Sequence, residues 1–176
     1  MKSLVFLAAG IVFGSAAMSA PLPDPIAPAA KGLLQCYQPD KSHKTCSSLA
    51  GYKSAAGGTI DNTAVILISR SPLITMETVS PVEVRSGRVC GSVRDRDIDE
   101  AKFSDGTHPL EARKAELLRQ QLKVALKDLL NHEICTTYVP DGDGFLAKET
   151  KEGVPMPGTD QHVIWVSPSD GYRVSP

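Results

Sequence analysis

Four cysteines, Cys36, Cys46, Cys90 and Cys135, carry the most definite chemistry in this chain. Their even number, with no C-x-x-C pair among them, points to two structural disulfides and away from a redox centre. Three pairings are formally possible. Spacing favours Cys36 with Cys46, closing a short polar loop, and Cys90 with Cys135, tying a strand to the end of a helix. In the loop-entropy account these bonds contribute roughly 3 and 4 kcal/mol, the longer loop more. A zinc site using His43 between Cys36 and Cys46 fits no common finger spacing, so no metal and no cofactor is expected.

The histidines, His43, His108, His132 and His162, stand apart in the sequence. His132-Glu133 lacks the second histidine of H-E-x-x-H, and there is no G-x-S-x-G elbow, phosphate loop or S-x-x-K. Asp141-Gly142-Asp143-Gly144 has the start of a calcium loop without the further oxygen ligands or the closing glutamate. The run Arg94 to Glu100, RDRDIDE, reads as a solvated edge, and nothing in it marks a carboxylate as buried, which acid catalysis by paired carboxylates would require. A small envelope hydrolase is the alternative reading, in which His43, His162 and nearby carboxylates converge in one cleft from distant positions.

The elements that must position these residues are set by periodicity. Ala115, Leu118, Leu122, Ala125 and Leu129 recur at spacings of three and four, widened by Leu126 and Leu130, which predicts one long amphipathic helix over about 109–133. Pro109 suits its first turn. Thr63 to Ser69 is β-branched and apolar on both faces, a central strand. Leu73 to Val84 and Val89 to Val93 form a hairpin about Ser86-Gly87, and Cys135 to Val139 and His162 to Ser167 add short strands. The fold class expected is α+β: an antiparallel or mixed sheet of four to six strands with the long helix packed across one face and two disulfides holding it.

Lys2, the apolar run Leu4 to Phe13 and the small residues after it read as a secretory signal over about 1–20, cut after Ala16, Ala17 or Ser19 because Pro21 disfavours a cut after Ala20. Residues 21–30, with four prolines, read as an extended lead-in, and 31–176 as a single globular domain. The expected location is periplasmic or secreted. No later segment is long and apolar enough for stable membrane insertion. The 19 basic and 20 acidic residues are interspersed, which excludes the basic footprint of a nucleic-acid binder.

Residues 140–161 are rich in Gly, Pro and charge and read as a long polar loop, an unusual length for a compact domain unless it works. Its apolar residues Phe145 and Leu146, and His43 in the stapled loop, are the candidate contacts. The function expected from this placement is an exported binding module for an envelope protein, a peptide or a cell-wall ligand.

Overall fold

The computed structural model of the chain describes residues 23–176, so the residues read as a secretory signal lie outside the described part. Twelve strands and two α-helices follow in order: β1 (Leu34–Tyr37), β2 (Thr45–Cys46), β3 (Ser48–Ser54), β4 (Ile60–Arg70), β5 (Leu73–Arg85), β6 (Arg88–Ser92), α1 (Asp95–Asp99), β7 (Lys102–Ser104), α2 (Ala112–Ala125), β8 (Glu133–Asp141), β9 (Gly144–Lys151), β10 (Val154–Pro155), β11 (Gln161–Val166) and β12 (Arg173–Val174). Eight of the strands, β1, β3, β4, β5, β6, β8, β9 and β11, each pair antiparallel with the next, and β11 returns to pair with β1. The result is a closed up-and-down barrel, an arrangement with no free edges in its wall.

This overturns the expected sheet with a long helix across one face. The helix is real but ends at Ala125. Beyond it the chain winds through successive turns, with Leu129 N–H donating to Leu126 O and Leu130 N–H to Leu126 O, until Asn131 takes a positive φ of 61° and donates to Val93 O. Such turns keep apolar residues at three- and four-residue spacing, so the sequence period runs on where the helix does not. Of the stripe, Ala115, Leu118 and Leu122 pack with Met76, Phe103, Ile66, Ile68 and Ile74. Of the residues they pack with, all but Phe103 belong to the long β4–β5 hairpin, which outruns its neighbours; β7, which carries Phe103, takes the place beside β5 beyond the end of β6. Helix α2 therefore covers this extension and one end of the barrel.

The long polar loop expected at 140–161 is also corrected. It is the end of β8, all of β9 and β10, and the start of β11. Asp141 pairs with Gly144 across a two-residue turn, Gly142-Asp143, in which Gly142 has a φ of 59°. Glycine at the first central position is what a type II′ hairpin turn asks for. Gly144 has no room for a side chain either, since a Cβ there would press on the Val163 carbonyl and Ile164. The Ser86-Gly87 hairpin is present, with both turn residues at positive φ.

The disulfides are Cys36–Cys46 and Cys90–Cys135. The first joins β1 to β2 on the outer surface of the barrel, in a small apolar cluster with Leu34, Leu49, Ile164, Val166 and Tyr172. Cys90 and Cys135 are direct cross-strand partners in β6 and β8, with Cα atoms 4.1 Å apart. The second bond thus joins strand to strand, not strand to helix end. No helix among the described residues is long and apolar enough to cross a membrane.

Candidate ligand cavity in the barrel

Register decides which side chains face inward. Gln35 pairs with Ala50 and Trp165, Tyr52 with Asn62, Asn62 with Ser80, Ala64 with Thr78, and Tyr138 with Ala147. Paired residues share a face, so this barrel turns tyrosines, hydroxyls and amides inward. Ala50, Ala64, Gly91 and Ala147 are small inward residues among them, which leaves space.

Two cavities result. The outer one, about 590 Å³, lies at the mouth where the Ser86-Gly87 turn, the β8–β9 hairpin and the end of β11 meet. Its walls are Tyr138, Phe145, Pro140 and Trp165, with Arg88 on the rim and prolines of the 23–28 segment across it. That segment is no free spacer: Ile26 is buried, and residues Ala27–Lys31 form a 3-10 turn. Arg88 is half-buried and makes no ion pair among the described residues. The inner cavity, about 210 Å³, is lined by Tyr37, Tyr52, Asn62, Thr78, Ser80 and Thr136 together with aliphatic residues, and by no charged side chain.

Gln35, fully buried, lines neither cavity but holds tyrosines that line both. Its Oε1 accepts from the hydroxyls of Tyr52 at 2.7 Å, Tyr37 at 3.0 Å and Tyr138 at 3.2 Å, and the Tyr37 and Tyr138 hydroxyls are 2.7 Å apart. Burial, followed by the neighbouring tyrosines, pushes the pKa of Tyr37 up, and burial with Tyr138 does the same at Tyr52, so both remain hydroxyls. The Gln35 Nε2 has no partner. Turning the amide over would let the NH2 group donate to tyrosine oxygens and leave the carbonyl oxygen unpaired instead. Either way one buried polar atom is orphaned, at about 1–3 kcal/mol, in a class of atoms that are nearly always satisfied.

Phe145, expected on a long polar loop, is an inward wall of the mouth. Leu146 is its outward neighbour in β9, paired with Val139 and His162. His43 is exposed in the loop after β1 and joined to Asp40, and the structure does not bring it to either of them. The same loop does reach the β8–β9 turn through an ion pair between Lys41 and Asp143.

The hydrolase cleft does not assemble. Lys41, Asp141, Asp143 and His162 share a crevice that His43 does not line. Each histidine has its own carboxylate: His43 with Asp40, His108 with Asp105, His132 with Glu152 and His162 with Asp141. Two of these are one local motif, since Asp40-Lys-Ser-His43 and Asp105-Gly-Thr-His108 fold alike. In each, aspartate Oδ1 accepts the N–H groups two and three residues on and the intervening hydroxyl, which also meets histidine Nδ1. A catalytic triad needs serine and aspartate on opposite ring nitrogens; here both lie at Nδ1. These are turn motifs. The hydroxyl and backbone N–H groups hold the Asp40 carboxyl well below the usual range, and the His108 and Thr107 N–H groups bring Asp105 to about 2. Cys90, Glu133 and Cys135 crowd together like metal ligands, but sulfurs joined in a disulfide offer no thiolate.

The acid that sequence reading missed is Asp97, in the RDRDIDE run. It is buried with Ile98 in α1, where Arg94 and the Ser80 hydroxyl bind it from either side. Ile98, the only apolar residue in the run, was the available signal. Glu149 is a second case, half-buried on the inward face of β9. Burial raises its pKa, the Thr159 hydroxyl lowers it and Asp160 raises it, for a net rise above 4.5. An acid whose folded pKa is raised favours folding below its unfolded pKa, and this is lost as pH rises through the folded value. Glu149→Gln should therefore raise the melting temperature at neutral pH and leave it unchanged well below pH 4.5, as thermal unfolding at the two pH values would register.

No protein-family model, curated protein or solved structure matches the chain. The reading of its function therefore rests on the cavity itself.

Proposed function

We propose that this protein is an exported binding module whose ligand is a small, largely apolar molecule lodged in the mouth of the barrel. The observation that carries this is the mouth cavity, walled by Tyr138, Phe145 and Trp165. Its volume falls within the roughly 300–1,000 Å³ of small-molecule sites, which favour barrel mouths, apolar walls and a few placed polar groups. A peptide or a cell-wall fragment would be held through a part small enough to enter. The N-terminal pattern of Lys2 followed by Leu4 to Phe13 supports export, and the two disulfides fit an oxidising compartment.

Trp165 is the only tryptophan, so its fluorescence reports on the mouth alone. Phenylnaphthylamine, a neutral apolar fluorophore, should quench it to saturation in oxidised, mature protein. Phe145→Ser should weaken that binding at least about tenfold, because losing an aromatic wall forfeits roughly 1.5–3 kcal/mol. Leu146→Ser, on the other side of the strand, should leave it unchanged. Equal losses in the two variants, or no saturable quenching in the parent, would dismiss the mouth as the site.

A further inference from the structure

The mouth accounts for an apolar ligand but not for what lies behind it. Tyr138 lines the mouth, while Tyr37 and Tyr52 line the inner cavity, and all three hydroxyls meet on the amide of Gln35. We infer that this cluster is the head-group site of the barrel: a ligand with an apolar body and an uncharged hydrogen-bonding head, an amide, alcohol or ketone, places that head against Gln35 and its tyrosines. The inference rests on the mouth being the ligand's entrance.

Three observations select that chemistry. Gln35 is fully buried, lines neither cavity and holds one amide atom without a protein partner whichever way the amide is turned, so a ligand head meets it through the tyrosine hydroxyls that its amide gathers. The inner cavity presents Asn62, Thr78, Ser80 and Thr136 beside the tyrosines and no charged side chain, so a carboxylate or ammonium head would enter without a counter-charge. The small inward residues Ala64 and Gly91 leave the space that a head needs. Tyr138, shared between the mouth and the Gln35 cluster, is the side chain that a ligand must displace or bond.

The two rival occupants are explicit. Ordered water would satisfy Gln35 with no preference among ligand heads, at about 30 Å³ per molecule. A carboxylate head would stay at the rim on Arg88. The test is displacement of bound phenylnaphthylamine from the oxidised mature protein by three compounds of one ring system: methylnaphthalene, naphthamide and naphthoate. Naphthamide should compete at least about tenfold more strongly than methylnaphthalene, and naphthoate no better than methylnaphthalene. In Gln35→Met, close in shape, the advantage of naphthamide should fall to within about twofold while the fluorophore still binds. The ranking in the parent protein stands as a test even if that variant fails to fold. Equal competition by naphthamide and methylnaphthalene would assign the cluster to water and overturn the inference with the mouth site intact. Naphthoate competing best, and losing that rank in Arg88→Gln, would overturn it in favour of the rim. Failure of phenylnaphthylamine to bind would remove the mouth site and this inference with it.

Discussion

Arg94→Ala should destabilise the barrel by about 3–5 kcal/mol, the loss that follows when one partner of a buried ion pair is removed and the other is left uncompensated. Asp97 is 3% exposed. It accepts from Arg94 Nε at 3.0 Å, from the Arg94 backbone N–H at 3.1 Å and from Ser80 Oγ at 3.0 Å, with the Arg94 guanidinium closing the pair. Burial alone would raise the Asp97 pKa, but the Arg94 side chain and backbone N–H and the Ser80 hydroxyl outweigh it, and the pKa is lowered. A carboxylate lowered in the folded state contributes stability above its unfolded pKa, and the contribution is lost as pH falls through the folded value. Asp97→Asn keeps the shape and most acceptor geometry and frees Arg94, already partly exposed, to reach water. It should therefore lose less, about 1–3 kcal/mol. The order matters more than either value. In Arg94→Ala the deficit should be largest at neutral pH and shrink in acid, where Asp97 takes up a proton; urea unfolding at both pH values would show this. A deficit that does not change with pH would mean that Arg94 acts through packing and not through the charge of Asp97.

The position of that pair explains its weight. Ser80 and Thr78 face the inner cavity, and both donate to Asp97, one to its carboxylate and one to its backbone carbonyl. Helix α1 is thus stitched to the inside of β5 where β6 ends and β7 has not begun. Lys123 of α2 reaches Asp99 at 2.6 Å, and Asn131 reaches Asp95 at 2.9 Å, so the same short helix also anchors α2 and the turns after it. The charged run that looked like a solvated edge is the fastening of the capped end.

Much of this was hidden because the barrel is polar inside. Strand recognition depends on apolar residues alternating toward a core, and here Tyr52, Asn62, Thr78, Ser80 and Thr136 occupy the inward positions. In β9 the inward residues are Phe145, Ala147, Glu149 and Lys151, and the alternation disappears under the charges. The Gly-Asp hairpin signal at 142–143 was present, but it competed with a calcium-loop reading of the same residues. What was legible depended on local chemistry: the disulfide pairing from spacing and the hairpin from Ser86-Gly87, whereas the helix begins only at Ala112, after Pro109 has bridged to Ser104. Phe145 was singled out as a contact on the assumption of a loop and stands in a cavity wall instead. Gln35 carried no local signal beyond Tyr37 two residues on, because pairing with β3 brings Tyr52 to it and only closure of the barrel brings Tyr138 from β8.

Removing the second disulfide as Cys90→Ala with Cys135→Ala should lower stability by about 4 kcal/mol, more than the roughly 3 kcal/mol expected for Cys36→Ala with Cys46→Ala. The difference comes from what each bond spans. Cys36 and Cys46 are 10 residues apart, whereas 45 residues separate Cys90 from Cys135. That interval holds α1, β7 and α2, the longest connection between wall strands that follow one another along the chain. Apart from the closing β11–β1 pair, a shorter connection brings every other strand of the wall to its partner; at the β6–β8 seam the chain must close a long excursion first, and the free energy of doing so grows with its length. The bond removes that demand from the unfolded state. Its loss should accelerate unfolding and show earliest as hydrogen exchange at the amides of β6 and β8. Because the turn after β5 and the end of β8 both border the mouth, phenylnaphthylamine binding should weaken in this double variant before global unfolding begins. In the Cys36/Cys46 variant, whose bond lies on the outer surface, binding should survive until the barrel itself unfolds. If both variants lose binding only together with the fold, the seam and the mouth are not coupled.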